Sequence, residues 1–265
     1  MTRLATRLGI IGIAERGGGD ALPITFLHGV GSDKSAWLAQ LAAFGTERRA
    51  IALDFPGYGE SDPASPDNAP AHDRFADAIL AALDALVLDQ VHLCGLSLGG
   101  VVALALAHRA PDRIASLTLA DSFARHPDGE AILERSLAAS ADMRALAAAR
   151  VPLLLAPGAD PVLAASLLSV MAAIDPIAFR LASAAVWPAD QRHRASLIGV
   201  PTLILCGDED RVTPPKLSDE LATMIPGALG VRIAAAGHLP NLEQPAAFNA
   251  ELGRFLSECE AKCAG

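Results

Sequence analysis

Between residues 22 and 120, short and nearly uninterrupted apolar runs alternate with helix-patterned segments, and few architectures accommodate that rhythm. The runs are Ile24–His28, Arg49–Asp54, Val91–Gly95 and Ile114–Ala120, all rich in strand-forming residues. Helical spacing of apolar residues occupies the gaps, over Ser35–Phe44, Asp73–Leu86 and Leu98–Arg109. A run that is apolar at successive positions has no face to spare for water, so each strand must be covered on both sides. Strands covered on both sides and separated by helices imply an α/β chain built on a mostly parallel sheet flanked by helices.

The alternation stops after Asp121. Residues 122 to about 196 hold no convincing strand and are rich in Ala and Leu at helical spacing. Helices are expected at Asp128–Ser140, Asp142–Arg150, Pro161–Ile174 and Pro176–Trp187, each opened by Asp or Pro. The rhythm then resumes with a strand at Thr202–Cys206, a helix at Pro214–Met224, a strand at Gly230–Ala234 and a closing helix at Pro245–Glu260. The simplest division is a core of residues 1–121 and 197–265, with 122–196 a helical cap over the ligand edge of the sheet. The Pro/Ala/Asp-rich stretch Asp62–Ala71 reads as an irregular surface loop.

Composition narrows the function. Of 265 residues, 52% are hydrophobic, enough for a sizeable core without disulfides. Acidic residues outnumber basic ones 30 to 21, a net charge of −9, with no Lys/Arg cluster, which argues against nucleic acid or an anionic membrane as partner. Cys94 and Cys206 lie inside strand runs, while Cys259 and Cys263 stand one helical turn apart without further ligands nearby, so no metal site and a reducing compartment are expected. The apolar run Leu8–Ala14 is too short for an export signal. These features lead to the expectation of a cytoplasmic protein; no cofactor is expected, and homo-oligomerisation is left open.

The segment with most chemical content is Gly95-Leu96-Ser97-Leu98-Gly99-Gly100, a strand end running into a helix. A serine hydroxyl is a weak nucleophile until a base takes its proton and the backbone aims it. A sharp strand-to-helix turn provides the aim, and small residues two before and two after relieve its crowding. Ser97 is therefore the candidate nucleophile. Without a hydrolytic role, the same glycines would make a tightly packed turn or a phosphate cradle.

The base belongs on a loop after the last strand. His238 sits there, in Ala236-Gly237-His238-Leu239-Pro240. Of the other histidines, His72, His108, His126 and His193 fall on helices or their ends and are expected in solvent; His28, beside Gly29, is expected to hold a turn. The acid belongs between serine and histidine, where Asp208, Glu209 and Asp210 follow the strand Thr202–Cys206, and Asp121 ends an earlier strand. Asp210 lies furthest along the turn and is favoured, with Asp121 the rival. A tetrahedral intermediate also needs two backbone N–H groups. Leu98, after the nucleophile, supplies one; Val30, in His28-Gly29-Val30-Gly31-Ser32, supplies the other, with Gly31 the alternative.

With these residues placed, the sequence resembles the α/β-hydrolase superfamily over essentially its whole length. Asp54-Phe55-Pro56-Gly57-Tyr58-Gly59-Glu60-Ser61 is similar to the D-x-P-G-x-G-x-S turn of that fold, and the Gly-x-x-Asp spacing of Asp210 is common there. Within the superfamily it most resembles 3-oxoadipate enol-lactonases, through Cys94–Gly100, Pro201–Leu203, Gly207–Pro215, Ala236–Pro245 and Ala173-Ile174-Asp175-Pro176. The resemblance implies an α/β-hydrolase fold and hydrolysis of a small carboxylic ester or a lactone bearing a carboxylate, through an acyl-enzyme. Such a substrate calls for a cation, and the cap offers Arg125, Arg135, Arg144, Arg150 and Arg180 without distinguishing among them. Carbon–carbon bond hydrolysis on the same fold, and ligand binding without turnover, are the competing readings. Trp37, after the oxyanion loop, either lines a pocket or packs.

Overall fold

The computed structural model describes residues 2–63 and 71–263, so Ala64–Pro70 of the loop expected at Asp62–Ala71 lies outside the described residues. The strands are β1 (Thr2–Thr6), β2 (Gly9–Arg16), β3 (Ala21–Leu27), β4 (Arg48–Leu53), β5 (Val91–Leu96), β6 (Ile114–Ala120), β7 (Thr202–Gly207) and β8 (Leu229–Ile233). They form one eight-stranded sheet in the order β1-β2-β4-β3-β5-β6-β7-β8. The β1/β2 and β2/β4 pairs are antiparallel and all others parallel. The central strands β5 and β7 are buried at every position, as their unbroken apolar runs require.

Helices α1 (Leu38–Phe44), α2 (Ala71–Ala85), α3 (Leu98–Arg109), α9 (Pro215–Met224) and α11 (Pro245–Cys263) accompany the sheet, with the short α10 (Pro240–Glu243) before the last. Between β6 and β7 stand α4 (Gly129–Ala139), α5 (Met143–Leu154), α6 (Pro161–Ala172), α7 (Pro176–Val186) and α8 (Arg192–Ala195). Of the expected openers, Asp142 caps its helix and Asp128 makes no side-chain cap bond, while the helices opened by Pro161 and Pro176 are capped by the aspartate just before each proline. Asp142, Asp160 and Asp175 each accept backbone N–H bonds from the first turn of α5, α6 and α7.

Three local expectations change. The N-terminal hairpin β1/β2 is absent from the sequence reading. Helix α5 continues four residues past Arg150, carrying Pro152 within its last turn. The segment expected to be one helix from Ser35 begins as a 3₁₀ turn at Lys34–Trp37, with Asp33 capping Ser35 N–H at 2.8 Å. Trp37 packs: it is fully buried, its ring 4.8 Å from that of Phe26. Among the described residues no single helix is long and apolar enough to cross a membrane.

Candidate active site

Strand order reverses between β3 and β5: from β3 the chain builds one way to β4, and from β5 it builds the other way through β6, β7 and β8. At such a point the connections leave toward opposite faces, opening a crevice at the carboxyl ends of the strands. The loop His28–Gly31 leaves β3 on one side of this crevice, and Ser97 leaves β5 on the other.

Ser97 has φ 54° and ψ −113°, a left-handed conformation that costs a non-glycine residue about 1–3 kcal/mol. The surroundings impose it. Its N–H donates to Ala120 O at 2.9 Å, and its carbonyl accepts from Gly100 N–H at 2.9 Å, Val101 N–H at 3.2 Å and the Ser122 hydroxyl at 3.0 Å. The flanking glycines are required by closeness: a Cβ at Gly95 would lie 2.2 Å from Gly99 O, and one at Gly99 2.2 Å from Leu27 O. Leu98 begins α3, so its N–H is among those with no acceptor inside the helix. The helix dipole is positive at this end.

His238 and Asp210 are brought together, Nδ1 to Oδ2 at 2.8 Å, with both residues buried. A carboxylate only accepts, so the imidazole proton sits on Nδ1 and Nε2 is left as the basic nitrogen. The Thr213 hydroxyl donates to the same Asp210 oxygen at 2.6 Å, while Val212 N–H and Thr213 N–H reach Oδ1 at 2.7 and 3.0 Å. Burial alone would raise the Asp210 pKa, but His238, Thr213 and Val212 together hold it below the usual carboxylate range. The rivals separate clearly. Asp208 and Glu209 are exposed, and Asp121 is fully buried with Oδ1 accepting Gly207 N–H at 2.9 Å. Burial first, and then the neighbouring Asp210, push the Asp121 pKa well up.

His28 holds the loop after β3, as expected, and does so through two bonds. Nδ1 donates to Gly29 O at 2.8 Å and Nε2 accepts Phe55 N–H at 3.0 Å, which fixes the neutral tautomer. Burial also lowers the His28 pKa. Gly29 C=O and Val30 N–H share one trans peptide and point opposite ways, so His28 aims Val30 N–H away from itself. The Tyr58 hydroxyl donates to Val30 O at 3.0 Å and fixes the next peptide, which carries the Gly31 N–H. Tyr58 lies within the D-x-P-G-x-G-x-S turn, so that segment braces the loop after β3.

Val30, Ser97 and His238 line one cavity of about 30 Å³ together with Arg150, Met171 and Trp187 from the inserted helices. Of the five candidate arginines, Arg125, Arg135, Arg144 and Arg180 are exposed, and Arg150 is the one that reaches this cavity. Its guanidinium donates to the Ser136 hydroxyl at 3.3 Å and lies 5.8 and 5.7 Å from the Phe179 and Trp187 rings. Among the described residues its partners are Ser136 and Tyr58, and no carboxylate is among the groups that act on it. Burial depresses its pKa, with Tyr58 the neighbour that offsets this.

The end of α5 is tied to both loops of the His238–Asp210 pair. Arg211, next to Asp210, donates to Pro152 O at 2.6 Å and Leu155 O at 2.7 Å. His238 N–H donates to Leu154 O at 2.7 Å. The Glu243 carboxylate accepts Gly237 N–H at 2.8 Å on one oxygen and Ala156 N–H at 2.7 Å on the other. The sequence reading singled out neither Arg211 nor Glu243.

His126 departs from its expected solvent position. It is buried, with ring centroids 5.5 Å from Phe123 and 5.7 Å from Trp187. His72 is also mostly covered, its side chain 15% exposed. Among the described residues, Asp121, Cys206 and Asp210 bring potential metal-ligating atoms within 4.8 Å of one another. Their chemistry suits protons better than a cation: Asp210 already accepts on both oxygens, and burial, then Asp121, push the Cys206 thiol up to about 12.

Comparison with known proteins agrees with this architecture. The model of the alpha/beta hydrolase family matches residues 26–251. The chain is 34% identical over 254 residues to the dihydrolipoyllysine-residue acetyltransferase component of the acetoin cleaving system of Pseudomonas putida, spanning 91% of this chain and 65% of that longer protein. It is 32% identical over 245 residues to the pimeloyl-[acyl-carrier protein] methyl ester esterase of Neisseria meningitidis strain FAM18, covering 88% of this chain and 93% of the esterase. With 3-oxoadipate enol-lactonase 1 of Acinetobacter baylyi it shares 30% over 236 residues, 86% of each chain. The crystal structure of the enol-lactonase from Burkholderia xenovorans LB400 superposes with a TM-score of 0.89 at 29% identity, covering 97% of this chain and all of that one. The eight-stranded sheet, the strained serine turn after β5 and these matches together establish that the chain belongs to the alpha/beta hydrolase family.

Proposed function

We propose that this chain is a serine hydrolase that opens a small carboxylic ester or lactone through an acyl-enzyme on Ser97, and that its substrate carries a carboxylate received by Arg150. The observation that carries the reading is the placement of Ser97 and His238 on one cavity, with His238 Nδ1 held by Asp210. Ser97 Oγ attacks the carbonyl carbon while His238 Nε2 takes its proton, and Asp210 steadies the imidazolium. Negative charge gathers on the carbonyl oxygen, where Val30 and Leu98 N–H groups stabilise it; one such donor is worth about 3 kcal/mol in the transition state. Collapse breaks the acyl–oxygen bond, His238 protonates the departing oxygen, and water delivered through the same base releases the acid. In a lactone the departing oxygen stays tethered to the acyl group.

The carboxylate preference rests on Arg150, an unpaired cation facing the cavity, and accords with the likeness to enol-lactonases. A cavity of about 30 Å³ holds about one water, so Leu167 and Met171 of α6, which line it, have to yield when substrate enters. A fluorophosphonate should label Ser97 stoichiometrically. A panel of short esters, carboxylate-bearing lactones and a vinylogous diketone, run with wild type and Ser97→Ala, should give Ser97-dependent turnover of the first two groups. Folded protein that takes no label and turns over none of them would end the reading.

A further inference from the structure

Asp121 is the buried acid that the proposed chemistry leaves without a task. It follows β6 directly with φ 44°, a strained conformation that persists only where the surroundings over-determine it. Two bonds do so, Asp121 N–H to Leu205 O at 2.9 Å and Gly207 N–H to Oδ1 at 2.9 Å; the Thr213 hydroxyl oxygen also lies 3.0 Å from the Asp121 carbonyl, with its one proton given to Asp210. The other carboxyl oxygen, Oδ2, is completely buried and receives no donor. An ionised oxygen in that position would be desolvated without compensation.

The Asp121 and Asp210 carboxyls lie within 4.8 Å of each other and of Cys206 Sγ. Two carboxylates so close in a dry site cannot both ionise. The charge goes where the donors are. Asp210 collects His238 Nδ1–H, the Thr213 hydroxyl and two backbone N–H groups, while Asp121 has Gly207 N–H. The titratable groups around the pair are His238 from the loop after β8, Cys206 on β7 and His126 from the inserted segment; Arg232 acts on Cys206 from β8. None of the groups that act on Asp121 directly is a permanent cation that would hold it ionised.

We propose that Asp121 is a positioning residue: a neutral carboxylic acid whose Oδ2–H is given as a hydrogen bond to Asp210, restraining how strongly Asp210 holds a proton on His238. The inference rests on Asp210 being the partner of His238 in the hydrolytic site. Withdrawing that hydrogen bond leaves more negative charge facing His238, stabilises the imidazolium and raises the pH at which the base becomes free.

Two variants test it. Asparagine tolerates the left-handed backbone and keeps a neutral donor, whereas glycine tolerates the backbone and removes the donor. Infrared difference spectra of wild type against Asp121→Asn at neutral pH should contain one protonated-carboxyl C=O stretch belonging to wild type. In kcat/KM against pH, Asp121→Asn should keep the wild-type acid limb, and Asp121→Gly should move it upward by about half a pH unit. An absent carboxyl band, an unmoved limb in Asp121→Gly, or a downward shift in Asp121→Asn would each overturn the proposal, the last because it marks removal of a negative charge. The infrared measurement needs no substrate, so it still decides the protonation of Asp121 if Ser97 proves unreactive.

Discussion

Replacing Arg150 with methionine keeps a long unbranched side chain and removes the charge, so it should pull activity and stability in opposite directions. A substrate carboxylate about 4 Å from the guanidinium gains roughly 4 kcal/mol at an effective dielectric of about 20. Stripping water from that carboxylate takes back part, which leaves about 2–3 kcal/mol, the range for hydrogen bonds to charged groups. At 1.36 kcal/mol per decade this is about a 30- to 160-fold loss in kcat/KM for an acidic substrate. A matched ester whose carboxylate is capped as an amide should lose less than about threefold, within the usual effect of a volume-conserving swap. In the substrate-free protein the same cation is partly buried without a carboxylate partner, held by Ser136 and the faces of Phe179 and Trp187. Those contacts return only part of its desolvation cost, so the variant should gain about 1 kcal/mol, a rise in Tm of about 2–4 °C for a chain of this size. Steady-state kinetics on the ester pair, with calorimetric melting of the free protein, measures both. Equal losses on the two esters would refute the assignment of Arg150 to the carboxylate, and a lower Tm would refute its being an uncompensated charge.

Other outcomes follow from the same geometry. Ser97→Ala and Ser97→Gly should both be inactive, but the glycine variant should melt higher, because it relieves a left-handed φ worth about 1–3 kcal/mol; equal melting points would mean the turn is unstrained. His28→Asn should lower kcat by about 10- to 100-fold with little change in KM, since Val30 N–H loses its aim; a rise in KM alone would contradict this. Burial lowers the pKa of His28 and His92, so the unfolded chain takes up protons that the folded chain refuses. Their contribution to stability is therefore complete above about pH 6.5 and fades as pH falls below it, so urea midpoints should drop on going from about pH 7.5 to 5.5, less steeply in His92→Gln. Gly95→Ala should fail to fold stably, because its Cβ would meet backbone atoms of Gly99 at 2.2 and 2.3 Å; a soluble variant with wild-type Tm would show the turn can open.

The central sheet and the residues that meet at the cavity were readable because their signals are local. Ser97 announces itself by glycines on both sides between a strand and a helix, and His238 by its loop after the final strand. The sequence favoured Asp210 but left Asp121 as a rival, since both follow buried strands; what separates them is which carboxyl meets Nδ1 of His238 across 28 positions. The N-terminal hairpin was missed because Gly9 and Gly12 weaken the strand pattern and its anchors are distant: Ile10 N–H bonds Asp62 Oδ2 and Gly12 N–H bonds the Ser61 hydroxyl. Helix α5 runs past its expected end at Arg150 and through Pro152, a residue that lacks the N–H for its i−4 carbonyl and so argues in the sequence for a stop before it. That extension matters, as it sets Arg150 and the following residues against the site. His126 was misplaced because a helix-end position suggested solvent, whereas Trp187, 61 residues later, closes over it.

The bonds from Arg211, His238 and Glu243 to residues 152–156 have a consequence for how such enzymes diversify. By chain connectivity these residues belong to the insertion; by mechanics they belong to the loops that carry His238 and Asp210. A recombination that exchanged the entire insertion between relatives would replace the backbone on which His238 is seated. One that crossed over after Ala156 would keep that seat, together with Arg150, and exchange α6 and α7. Because α7 carries Phe179, whose ring lies against Arg150, such an exchange would alter the surroundings of that cation while leaving the bonds to Arg211, His238 and Glu243 in place.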